Sequence, residues 1–224
     1  MARKLFNPKP DTHWAIGMGG ASGRPVQLLL IGECATIWPF VEHQMAICLG
    51  ILLGSTTDAA MAVFSSIRQG RGQRDAITAA ASVTRTEEDQ MLIAACLSLL
   101  KTAESARNDV VHGQWGVSDT LPNALLWIEA KHHANWNAAA IIKAPGEGPS
   151  HDELAKHFFV YTSADLIEVR DLLRVAWRTA FDLSLYLKWA QGEPDTLDLI
   201  RARLLAVPQV AQALDHLKKR KSTT

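Results

Sequence analysis

The run Arg107-Asn108-Asp109-Val110-Val111-His112 gathers side chains suited to phosphodiester chemistry. On a helix, at about 100° per residue, Glu104, Asn108 and His112 fall on one line, four residues apart. Arg107 lies about 140° from His112 on the same wheel, at the margin between polar stripe and core face. Its long side chain reaches the patch that the imidazole occupies. Arginine holds a phosphate through parallel hydrogen bonds and stabilises charge growing on it in a transition state. Histidine takes or gives a proton near neutral pH. Asparagine orients either group while staying neutral. Such a set requires no metal and no cofactor.

Each residue also has a plainer role. Arg107 and Glu104 at i, i+3 can make a surface ion pair worth roughly a few tenths of a kcal/mol. Asn108 and His112 near a helix C-terminus can satisfy the last carbonyls, and histidine there complements the dipole. Singly the plain roles are favoured; as a set, the chemistry is. Arg68, Arg71 and Arg74, beside two glycines, could guide a phosphate backbone, a solvated stretch being the plainer alternative. Trp115 could stack on a base, although core packing is the better expectation. Trp38, Trp177 and Trp189 are expected in the core. His132-His133 on a strand would point to opposite faces, so this pair, with His151 and His157, is expected at solvent rather than on a metal. Gly17, Gly19, Gly20 and Gly23 fit neither the dinucleotide nor the phosphate-loop template. No nucleophile-elbow pattern is present.

The elements that would position the central run can be read from periodicity. Thr86-Glu87-Glu88-Asp89 is a helix start, with a hydroxyl cap and acids in the first turn. Leu92, Cys96, Leu99, Ala103, Ala106 and Val110 then hold one apolar face, and Gly113 is the expected C-terminal glycine. Residues 26–53 are helical, with Pro39 expected to kink or divide them and Trp38, Val41, Met45, Cys48, Leu49 and Leu52 forming a buried stripe. Gly54-Ser55-Thr56 stops that helix and caps a second over residues 58–67. Residues 124–130, 139–143 and 156–161 are short, apolar and partly β-branched, with a turn at 145–149, predicting a small hairpin or sheet. The longest helix spans 164–191, lined by Leu166, Val169, Leu173, Ala176, Trp177, Ala180 and Leu187. A helical pair broken at Pro208 and a basic tail, expected to fray, follow. The expected fold class is mainly α, a helical bundle with a β insert. The organisation is a flexible arm over 1–24, a helical domain over 25–192 with its insert at 121–162, and a C-terminal segment over 193–224.

Composition narrows the function classes. The 224 residues carry 23 basic and 23 acidic side chains, so a broad basic surface for coating nucleic acid is excluded while a local basic groove is not. Cys34, Cys48 and Cys96 sit in apolar stretches without C-x-x-C spacing, as buried reduced thiols of a cytoplasmic protein do. Residues 45–53 are about half the length that spans a bilayer, and a buried helix with no membrane partner is expected.

Arg107-Asn108-x-x-x-His112 near the end of a long helix resembles the R-x(4–6)-H signature of the HEPN superfamily. An earlier helix carrying Trp38 and Glu42, and the long helix at 164–191, are similar in layout to helices of that family. The resemblance implies an α-helical bundle, a two-fold homodimer with facing motifs, and metal-independent cleavage of RNA by a toxin or defence effector, with a neutralising partner protein in some cases. It implies attack by the ribose 2′-hydroxyl, with Arg107 on the phosphate, His112 as acid/base and Asn108 positioning them. Glu104 and Glu42 would be supporting residues, and Arg68, Arg71, Arg74 and Trp115 substrate-binding ones. Two alternatives stand beside it: a catalytically silent HEPN-type module that dimerises or binds a partner protein or nucleotide, and a helical small-molecule binder with its pocket under the insert.

Overall fold

A computed structural model describes residues 4–9, 11–17, 19, 21–142, 150–189 and 194–222. Its elements in chain order are β1 (Lys4–Leu5), β2 (Trp14–Ile16), α1 (Pro25–Leu53), α2 (Thr57–Ser66), α3 (Gly70–Thr84), α4 (Glu87–His112), β3 (Gly113–Ser118) and β4 (Ala124–Glu129). They continue with α5 (Ala130–Ile142), α6 (His151–Ala155), β5 (Phe159–Thr162), α7 (Ser163–Trp189), α8 (Pro194–Leu205) and α9 (Pro208–Lys221). The protein is mainly α with one small antiparallel sheet. It divides into two compact units, Met1–Ala35 with Ala106–Asp171, and Thr36–Ser105 with Leu172–Thr224.

The second unit is helical, and its local signals act as their chemistry requires. Gly54 takes φ +60° at the end of α1, which lets Ser55 N–H reach back to the Gly50 carbonyl at 3.0 Å. That closure needs a left-handed residue, and glycine adopts it without a Cβ penalty. Thr56 caps α2 by accepting from Ala59 N–H. At the head of α4, Thr86 Oγ1 accepts from Asp89 N–H at 3.3 Å and donates to the Asp89 carboxylate at 2.7 Å. The predicted stripes of α1 and α4 are buried, from Trp38 to Leu52 and at Leu92, Cys96, Leu99 and Ala103.

Three details differ from the sequence expectation. Pro39 does not divide its segment: one helix runs through it, with Pro39 on an exposed face where the carbonyl it leaves without a donor can meet water. Trp177 and Trp189 are about two-fifths exposed, at 38% and 40%, while Leu183 and Tyr186 take the core positions. Near its end, the basic turn of α9 is helical to Lys221, which pairs with Glu87. By length and composition α1 is the one helix among the described residues that could cross a membrane.

The first unit is built on the sheet, ordered β1-β5-β4-β3-β2. Residues 4–5 and 14–16 supply its two edge strands, pairing with β5 and β3, a contribution that a free arm does not make. Central β4 is buried from Ala124 to Ile128. Its alternate residues Leu126 and Ile128 pack with Phe6, Leu154 and Phe158, and by the pleat Leu125 and Trp127 face the other side. Residues 139–142, expected as a strand, belong to α5; five alanines in its thirteen residues favour a helix. The turn expected at 145–149 lies outside the described residues.

Candidate functional site

The site forms where α4 passes without a loop into β3. Gly113 begins the strand opposite Glu129, and its φ is not positive, so the helix does not end on the left-handed glycine expected there. Gly113 is required for a different reason: a Cβ at this position would fall inside the Trp127 indole. Two tryptophans of the sheet finish the helix instead. Trp127 Nε1 donates to the Asp109 carbonyl at 2.6 Å, and Trp115 Nε1 donates to the Val110 carbonyl at 3.2 Å. They satisfy carbonyls that every helix leaves open at its C-terminus and fix the last turn against the sheet.

That turn brings the three central residues together. Arg107 Nη1 donates to Asn108 Oδ1 at 3.1 Å and lies 3.2 Å from His112 Nε2. A guanidinium only donates, so Nε2 accepts and the imidazole in this arrangement is neutral, its proton on Nδ1. Among the described residues Arg107 Nε is buried without an acceptor. A buried donor left unmet costs roughly 1–3 kcal/mol, and an oxyanion in the guanidinium fork would satisfy it. His112 is exposed.

His112, Asn108 and Asp109 open on a cleft of about 570 Å³, a size in the range of roughly 300–1,000 Å³ usual for ligand sites. Its other walls carry Glu129, His132, Lys156 and His157. The imidazoles of His132 and His157 stack at 4.3 Å and 13°, and His132 Nε2 lies 3.5 Å from Glu129 Oε2. Ring-nitrogen lone pairs lie in the ring planes, so parallel stacked rings do not converge on one ion. Among the described residues no group of three or more His, Cys, Asp or Glu is arranged to hold a metal.

The remaining candidates make no hydrogen bond or ion pair with Arg107, Asn108 or His112 among the described residues. Glu104 is paired with Arg74 rather than with Arg107. Arg71 pairs with Asp75 at 3.6 Å on an exposed face. Glu42 accepts from Trp38 Nε1 at 2.9 Å and lines, with His43 and exposed Arg68, a separate cleft of about 420 Å³ in the helical unit. Trp115 is half-buried and meets Tyr161 edge-on at 5.3 Å, a packing role.

Sequence reasoning did not single out Glu129 or Lys156, and it expected His132 and His157 at solvent rather than together in a cleft. One signal was available: four of the eight histidines fall within residues 132–157. The strand expectation hid it. On helix α5 His132 and His133 diverge by about 100°; His132 turns to the cleft while His133 binds Gln114 and Asn137.

No family model, no curated protein and no solved structure matches this chain.

Proposed function

We propose that the chain is a HEPN-like, metal-independent endoribonuclease whose chemistry is carried by Arg107, Asn108 and His112. The observation that carries this reading is the hydrogen-bonded Arg107–Asn108–His112 set, two of whose members, Asn108 and His112, line an open cleft. A backbone phosphate entering the cleft competes for the guanidinium and draws Nη1 away from His112. The neutral imidazole is then left with a bare Nε2 lone pair, the form that can take a proton from a ribose 2′-hydroxyl. The 2′-oxygen attacks phosphorus, the bond to the 5′-oxygen breaks, and Arg107 stabilises the charge on the phosphoryl oxygens. Asn108 holds the guanidinium plane in place. The products are a 2′,3′-cyclic phosphate and a 5′-hydroxyl.

RNA is therefore the proposed partner. The same reading includes a homodimer with facing motifs, which exposed His112 permits, and a neutralising protein if the chain is a toxin. A second reading, the silent HEPN-type module, is supported by the internal bonds of Arg107, since both of its assigned acceptors belong to its own helix.

The test is incubation of mixed cellular RNA with purified protein in EDTA, with end-group analysis of the fragments. Cleavage leaving cyclic phosphates, absent from an Arg107→Ala/His112→Ala preparation, is expected. Fragments ending in 3′-hydroxyls, or equal cleavage by both preparations, would contradict the mechanism.

A further inference from the structure

Transesterification of RNA needs two proton transfers: one from the attacking 2′-hydroxyl, one to the departing 5′-oxygen. His112 accounts for the first. Within its own cleft the chain holds another imidazole in a suitable place.

The sheet register fixes the arrangement. Strands β3 and β5 flank β4 and are both antiparallel to it. Each begins at the end of the sheet where β4 finishes, Gly113 opposite Glu129 and Phe159 opposite Trp127. His112 immediately precedes β3, and His157 precedes β5 by two residues. Strands two places apart in a sheet are roughly 10 Å apart. The two histidines thus stand on opposite sides of the β4 end, with side chains lining the same cleft. In-line displacement places the attacking and leaving oxygens on opposite sides of phosphorus, which suits two groups that flank the β4 end and line one cleft.

Besides these two rings the cleft presents Asp109, Glu129, His132 and Lys156. Glu129 holds His132, and His132 holds the ring plane of His157 by stacking. Among the described residues the His157 ring has that stack and no hydrogen bond to either nitrogen, so both nitrogens are left for substrate. Lys156, its neighbour, supplies a cation for a flanking phosphate.

Resting on the ribonuclease reading, we infer that His157 of the same chain is the proton donor to the 5′-oxygen, oriented by the Glu129–His132 pair, so that one cleft carries both proton carriers. In the balanced step the 2′-oxygen to phosphorus bond forms and the phosphorus to 5′-oxygen bond breaks. The 2′-hydroxyl proton passes to His112, the His157 proton passes to the 5′-oxygen, and no redox change occurs. Water or a second transfer then resets the two rings.

The experiment compares wild type, His112→Ala, His157→Ala and Glu129→Gln on one RNA and on its analogue with sulfur as the 5′-bridging atom. A thiolate leaves without a proton, so an absent donor is no handicap on the analogue. On RNA, His157→Ala should lose about 10²–10⁴-fold in kcat and recover to near the wild-type rate on the analogue. Glu129→Gln should show a smaller loss, also recovered. His112→Ala should stay inactive on both. Recovery also shows that the variant is folded. Full activity of His157→Ala on RNA, or a loss that the analogue does not restore, overturns the inference while leaving the ribonuclease reading intact. Absence of wild-type cleavage on either substrate overturns both.

Discussion

Arg107 binds two neutral acceptors that an anionic phosphate can displace. Asn108 Oδ1 and His112 Nε2 are uncharged partners, whereas a phosphate offers the guanidinium an anionic acceptor that it can grip bidentately. A carboxylate in their place, as in the Arg74–Glu104 pair, would hold the guanidinium against the incoming substrate. The three cysteines show the opposite chemical tendency. Burial pushes the Cys34 thiol up to about 11, with Glu33 adding to the effect and Arg170 opposing it. Burial pushes Cys48 up to about 12 and Cys96 up as well. From the ordinary value of 9.0 upward, the unfolded chain loses thiol protons that the folded chain keeps. Their contribution to stability is therefore complete below about pH 9 and declines as the pH climbs toward the raised folded values. At about pH 8, Ellman's reagent should label no cysteine of the native protein and all three in guanidinium. Rapid labelling of a native thiol would contradict the burial assigned here.

At the scale of elements, the decisive feature is the direct joint between α4 and β3. The helix itself was legible in sequence, because a hydroxyl cap, three acids and a 3–4 spacing of apolar residues are local signals. Its ending was not. Gly113 has the composition of a helix stop, yet what stops the helix is two indole donors brought by the sheet, and such tertiary partners leave no local trace. The same limit applies to α5, where an alanine-rich stretch ending in Ile141 and Ile142 mimics a short strand, and to the edge strands, whose two or three residues carry no period. The joint predicts a stability pattern. Gly113→Ala drives a methyl group into the Trp127 ring and should cost about 1–3 kcal/mol. Trp127→Phe removes the donor to Asp109 and should cost about 1 kcal/mol. Urea denaturation measures both, and unchanged midpoints would mean that the indole does not fasten the helix end.

For the whole molecule, sequence foresaw a mainly α chain with a small sheet inserted after the helix that carries the motif, and the structure has that composition. The three residues it grouped at the end of α4, Arg107, Asn108 and His112, do meet. The outlying candidates scatter: Glu104 and Arg74 bind each other, Arg71 binds Asp75, and Glu42 and Arg68 share another cleft. The reason is physical. Residues within the last turns of one helix are held close by the helix itself, and the long arginine side chain spans the remaining gap, whereas residues from different segments meet only as packing dictates. The central claim, that the end of α4 performs chemistry rather than merely closing a helix, is tested most directly by one comparison. RNA cleavage in EDTA and the thermal midpoint are measured together for wild type and His112→Ala. Exposed His112 contributes little packing, so cleavage should vanish while the midpoint stays within about 2 °C, a surface-substitution effect. Retained cleavage, or a collapse of the midpoint that accounts for the loss, would contradict it.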